Sequence, residues 1–149
     1  MRRPGVPTAS SAVALNRMKT VRRRDTTAEV AIRRLLHAQG HRYRVDRPAI
    51  NGTRRRADLI FATAHVAVFI DGCFWHSCPQ HATHPKANAA WWAAKLAANR
   101  HRDADTDRQL AAAGWKVVRV WEHEAPNAAA ARIARAVRAR QPRNGRVQR

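Results

Sequence analysis

Two apolar runs separated by a short polar turn, Ala57-Asp58-Leu59-Ile60-Phe61-Ala62 and Val66-Ala67-Val68-Phe69-Ile70, most constrain what this chain can fold into. Both are too short for buried helices and are rich in β-branched and aromatic residues, so they read as neighbouring strands inside a sheet. The exception within them is Asp58. A carboxylate at the head of an apolar strand is costly unless it is paired or binds a cation.

The flanking segments alternate in type. Thr26-Thr27-Ala28-Glu29 fits a capping box, Ala28, Ile32, Leu35 and Leu36 share one face, and Gly40 stands where a C-terminal cap belongs, which predicts a helix over 26–39. His41 to Val45 is a first strand candidate, and the loop around Gly52 and Arg54-Arg55-Arg56 separates it from the apolar pair. Asn88 is placed to cap a long helix from Ala89 to Ala113, where Trp92, Leu96, Asn99 and Asp103 recur at helical spacing before Gly114. Trp115 to Trp121 reads as a strand, and a last helix starts after Pro126 and runs to Arg140. The order α, β, β, β, α, β, α predicts an α/β sandwich around a central sheet. Of the adjacent Trp91 and Trp92, one is expected in the core.

A chain of 149 residues has room for one domain. Its formal net charge of +19, from 29 Lys plus Arg against 10 Asp plus Glu, points to a polyanionic partner, nucleic acid first. The abundance of Arg over Lys suits bidentate phosphate contacts, although a codon bias would produce the same skew. No apolar run approaches the roughly 18 residues of a membrane span, and no secretory signal is visible, so a cytoplasmic location is expected. The first 24 residues are Arg-rich and lack acids, as expected of a basic arm.

The chemistry concentrates in one loop. Asp71-Gly72-Cys73-Phe74-Trp75-His76-Ser77-Cys78-Pro79-Gln80-His81 holds both cysteines, two histidines and a Phe-Trp pair directly after a strand. In a reducing compartment such cysteines suit metal better than a disulfide. Cys73, Cys78 and His81, with His123 beyond the last strand, would form a Cys2His2 site for structural zinc, with His84 as the alternative third ligand. Zinc is favoured over merely buried thiols because the loop shows no other means of staying rigid. Asp58, Asp71 and Glu29 could supply three oxygen donors to one Mg2+. Alternatively, Glu29 is only the capping partner of Thr26, and Asp58 and Asp71 only pair with arginines. His76 is a surface histidine, a further zinc ligand or a general base. Phe74 and Trp75 either wedge between bases or plug the loop onto the core.

Five segments together carry a resemblance. They are Asp25 to Glu29, the Asp58-Leu59-Ile60-Phe61 strand, Gly72-Cys73-Phe74-Trp75-His76, Trp92 to Asp103, and Gly114 to Glu122. In that order and spacing, from about Asn16 to Glu124, the chain resembles the very short patch repair endonucleases. The resemblance implies a restriction-endonuclease-like three-layer α/β core with a central mixed sheet. It also implies a Mg2+-dependent enzyme that nicks double-stranded DNA 5′ to the thymine of a T:G mismatch left by 5-methylcytosine deamination. Carried over, Asp58 would ligate Mg2+, His76 would act as acid or base at the scissile phosphate, and Glu29 would hold water. Phe74 and Trp75 would form the wedge, Met18 would insert from the other groove, and Trp92 would lie near the wedge. Asp71 stands where the family can place a histidine, and the zinc ligand set is permuted by His123.

The expected organisation is a disordered basic arm over 1–15, an endonuclease domain with a zinc site over 16–140, and a basic tail over 141–149. A monomer associated with the nucleoid and functionally linked to a DNA cytosine methyltransferase is expected. A restriction-type nuclease of the same fold, or a zinc-stabilised DNA-binding module, are the rival readings.

Overall fold

The computed structural model describes residues 26–80 and 85–141. The expectations for the basic arm, Met18, His81 and His84, and for the tail beyond residue 141, lie outside the described residues.

Helix α1 (Thr27–Ala38) starts where Thr26 Oγ1 accepts the Glu29 amide at 3.2 Å. The Glu29 side chain is buried and lies against Asp58. The helix ends in a Schellman motif: Gly40, at φ +87°, donates its amide to His37 O, and the His41 amide reaches Leu36 O. That closure uses the His41 amide, so strand β1 begins later than the sequence suggests, spanning Arg44–Pro48 rather than 41–45. Pro48 is tolerated because β1 is an edge strand.

Strands β2 (Arg56–Phe61) and β3 (Val66–Asp71) form the expected central pair. Helix α2 (Ala89–Ala112), strand β4 (Lys116–Trp121) and helix α3 (Pro126–Arg140) complete the chain. Asn88 does not cap α2: it takes a left-handed conformation at φ +55° and makes no side-chain cap bond. Its carbonyl accepts the Trp92 amide instead. Gly114 closes α2 as Gly40 closes α1, at φ +87° with the Trp115 amide on Leu110 O.

The sheet order is β1-β2-β3-β4, antiparallel at the first two junctions and parallel between β3 and β4. One face is covered by α1 and α3, with Ile32, Leu36, Ile133, Ala134 and Val137 packed on Leu59, Phe61, Val66, Val68 and Val120. The other face carries α2, where Leu110 packs with Ile60 and Ala67. This three-layer arrangement about a mixed sheet is the restriction-endonuclease-like α/β fold.

Side-chain alternation breaks at one place. Ala57 packs with the α2 side, whereas Leu59 and Phe61 pack with the α1 and α3 side, so the strand shifts face across Asp58. Asp46, which falls opposite Asp58 between the paired Val45↔Leu59 and Arg47↔Ala57, has φ +51°. The last β2–β3 backbone pair is Leu59↔Val68. Beyond it the two strands part, and the Asp58 side chain fills the gap by accepting the Ile70 amide at 2.6 Å.

Candidate active site

Where β2 and β3 part, two carboxyl groups meet. Glu29, 6% exposed on the first turn of α1, lies against Asp58 as a side-chain hydrogen-bond partner. Burial, with the charges of Glu29 and Asp71, pushes the Asp58 carboxyl up to about 7 against the opposing pull of the Ile70 amide. Among the described residues no basic group pairs with Asp58, and its carboxyl lies directly against that of the buried Glu29. Hard oxygen donors gathered in this way fit a divalent ion such as Mg2+.

Asp71, at the end of β3, is more deeply buried than Asp58 and differently matched. Arg119 Nη1 donates to both of its oxygens, at 3.0 and 3.1 Å. Of the two strand acids, Asp71 is therefore the one that takes an arginine, as the sequence allowed. Burial raises its carboxyl above the ordinary range, while His76 and Arg119 hold it down.

His76 is half-buried and lies between two acids. Its Nδ1 is 2.5 Å from Asp103 Oδ2 on α2 and 3.7 Å from Asp71 Oδ1. Burial alone lowers the imidazole pKa, but the hydrogen bond to Asp103 and the charges of Asp71 and Asp103 outweigh it and leave it raised. With Nδ1 committed to Asp103, Nε2 is the atom left to exchange a proton.

The loop after β3 is more anchored than its sequence suggests. His76 N donates to Gly72 O and Cys78 N to Cys73 O, while Ser77 sits at φ +56°. Asn99 Nδ2 holds Trp75 O at 3.1 Å, Glu122 Oε1 accepts the Cys73 amide at 3.0 Å, and Arg100 Nη1 reaches Ser77 Oγ at 3.0 Å. The ligand atoms of Cys73, Cys78 and His123 all lie within 4.8 Å of one another. His123 Nδ1 is 3.1 Å from Cys73 Sγ and 3.6 Å from Cys78 Sγ. A tetrahedral zinc with its usual bond lengths sets S–N edges of about 3.6 Å, so the trio fits such an ion. Burial and the neighbouring Cys78 push the Cys73 thiol up to about 11, which describes a neutral thiol in the absence of a cation.

Beside this loop the aromatic rings form one cluster. Phe74 meets Trp75 at 5.0 Å and Trp92 at 5.4 Å, both edge to face, and Trp75 lies 5.9 Å from Trp92. Trp91 joins edge-on to Trp92 at 4.9 Å. Both tryptophans of the α2 pair are half-buried in this cluster, so neither is the core residue that adjacency suggested.

The structure thus brings Asp58 to Glu29, Asp71 to His76, Cys73 and Cys78 to His123, and Phe74 and Trp75 to Trp92. Two residues of the site were not singled out as such from sequence. Asp103 and Arg119 stood within the Trp92–Asp103 and Gly114–Glu122 segments of the resemblance, but neither was assigned a role. Arg119 could have been flagged as the charged residue within Val117-Val118-Arg119-Val120, the same signal that exposed Asp58.

Residues 11–81 match the sequence profile described as DNA mismatch endonuclease Vsr. The type II nicking enzyme V.NaeI of Lentzea aerocolonigenes is 45% identical over 109 residues, covering 72% of this chain and 66% of that protein. The type II nicking enzyme V.XorIIP of Xanthomonas oryzae pv. oryzae is 39% identical, over 72% of this chain and 77% of that protein. The DNA mismatch endonuclease Vsr of Escherichia coli K12 is 31% identical, over 70% of this chain and 66% of that protein. The five motifs, the mixed sheet and these similarities agree: the chain belongs to the family of Vsr-type endonucleases.

Proposed function

We propose that this protein is a Mg2+-dependent endonuclease that nicks double-stranded DNA 5′ to the thymine of a T:G mismatch, the lesion left by 5-methylcytosine deamination. The observation that carries the reading is the pairing of Asp58 with Glu29 at the mouth of the β2–β3 split, with the His76–Asp103 pair and the aromatic cluster on the adjoining loop. Asp58 would be the Mg2+ ligand, and Glu29 would hold water beside it. A Mg2+ ion held by these oxygens would supply charge neutralisation at the phosphate and a lowered pKa for water. His76, kept protonated more readily by Asp103 and Asp71, gives a proton from Nε2 to the leaving oxygen. Asp71 orients His76.

Phe74 and Trp75 enter the duplex at the mismatch, Trp92 supports them from α2, and Met18 contributes from the N-terminal segment. Rings already packed edge to face can stack on bases with little loss of side-chain freedom. Cys73, Cys78 and His123, with His81 as the fourth ligand, would hold a structural Zn2+ that would fix the wedge relative to His76. The net charge of +19 supplies phosphate affinity. No helix among the described residues is long and apolar enough to cross a membrane. We place the enzyme at the nucleoid as a monomer, in functional partnership with a DNA cytosine methyltransferase. A relative is named for mismatch cleavage and others for type II nicking, in keeping with a single-strand cut.

The test offers purified protein matched T:G and T:A duplexes, labelled on either strand, with Mg2+ or with chelator. Nicking confined to the thymine strand of the T:G duplex and dependent on Mg2+ is expected. Equal cutting of both duplexes sinks the mismatch reading in favour of a restriction-type nuclease, and binding without cutting leaves only a DNA-binding module.

A further inference from the structure

Arg119 is the most heavily bonded side chain near the site. From the middle of β4, in register with Phe69, it places its guanidinium 4.3 Å from the Phe69 ring centre. Nη1 donates to both oxygens of Asp71, Nε donates to both oxygens of Asp107 at 2.9 and 3.1 Å, and Nη2 lies 2.8 Å from Asp107 Oδ1. Nη2 also reaches the Asp103 carbonyl at 3.5 Å. The planar fork is always charged and has few donors left over.

We infer that Arg119 is a positioning residue that keeps the Asp71 carboxylate out of the cation-binding set and fixes α2 so that Asp103 meets His76. This rests on the reading that Asp58 binds the divalent ion. The two strand acids lie near each other, yet among the described residues Asp71 is matched to a fixed cation and Asp58 is not. A metal ion would have to compete with the guanidinium, which already engages both Asp71 oxygens. Asp107 lies one helical turn after Asp103, so holding Asp107 fixes the rotation of α2 at the turn that carries the His76 partner.

The experiment titrates the purified full-length chain with Mn2+ as the probe ion, reading free Mn2+ by electron paramagnetic resonance, and measures nicking of a T:G duplex in parallel. Asp71→Asn should leave Mn2+ affinity unchanged, while Asp58→Asn should weaken it by about 10-fold or more. Arg119→Gln should tighten Mn2+ binding by about 10-fold or add a second ion, and adding Asp71→Asn to that variant should cancel the gain. Its kcat should fall with little change in KM, and Arg119→Lys should not restore kcat, because an ammonium cannot span Asp71 and Asp107. Loss of Mn2+ affinity in Asp71→Asn overturns the inference, as does unchanged Mn2+ binding in a folded Arg119→Gln. If Arg119→Gln does not fold, Asp71→Asn decides alone. Unchanged Mn2+ affinity in Asp58→Asn instead overturns the metal assignment of the proposed function.

Discussion

Nδ1 of His76 and Oδ2 of Asp103 lie 2.5 Å apart, so a loop residue that must exchange a proton is steered by a residue on the opposite layer of the fold. General acid–base catalysis contributes about 10²–10⁴-fold. Asp103→Asn, which keeps the shape but offers an amide to Nδ1, should lower kcat by about 10²-fold with duplex affinity intact. Single-turnover nicking alongside a binding isotherm separates the two effects. A variant with full kcat would remove Asp103 from the mechanism.

Asp58 gives a pH dependence of definite sign. Its carboxyl sits at about 7 in the folded protein against an ordinary 3.8, so the folded state retains a proton there that the unfolded chain releases. Folding stability without a divalent ion should therefore be greatest at the acid end of that window and fall as pH rises toward 7. Mg2+ requires the ionised form, so the stabilisation it provides should grow over the same range. Urea denaturation at several pH values, with and without Mg2+, checks both slopes. Mg2+ stabilisation independent of pH, or a stability that rises toward neutrality, contradicts the assignment.

Removal of zinc should loosen one loop before it unfolds the protein. Cys73 and Cys78 are buried, yet the sheet core is built from other residues. Chelation, or Cys78→Ser, should make residues 72–80 sensitive to protease and suppress nicking while far-ultraviolet circular dichroism changes little. Rebinding zinc should release protons, because the Cys73 thiol is pushed up to about 11 without a cation. Purified protein with no bound zinc and full activity would falsify the structural-metal reading.

The aromatic cluster predicts discrimination rather than bulk affinity. Trp75→Ala should reduce the ratio of T:G to T:A cleavage by about 10-fold or more, since base–aromatic stacking contributes about 1–3 kcal/mol. The slope of affinity against salt should stay unchanged, because phosphate contacts set it. A Trp75→Ala variant that loses salt dependence and keeps discrimination would reverse these roles.

Thr26 links helix start to chemistry. Its Oγ1 caps α1 at the Glu29 amide, and Thr26→Ala should cost about 1 kcal/mol of stability. Because Glu29 is positioned by that turn, nicking should fall further than the stability loss accounts for. Thr26→Ser should recover both properties.

Much of the frame was readable in the chain. Capping and glycine signals set both ends of α1 and the close of α2, and apolar composition marked β2 and β3, because these depend on neighbouring residues. The start of β1 was misplaced because the helix closure took the His41 amide, and Asn88 adopted a left-handed turn in place of a cap. Asp58 was visible as a charge in an apolar strand. The break in alternation across it was not, since it depends on how β3 and Asp46 lie opposite.

By itself, the sequence determined an α/β chain with acids at strand ends, a Cys/His/aromatic loop and a charge suited to DNA, because periodicity, caps and composition are local. Only the tertiary structure decided which acids share a site. It set Glu29 against Asp58, gave Asp71 to Arg119, and delivered Asp103 to His76 across a separation of 27 residues. Burial raised both the Asp58 and the Asp71 carboxyl, and the difference between these like residues arises from neighbouring charge: carboxyls beside Asp58, His76 and Arg119 beside Asp71.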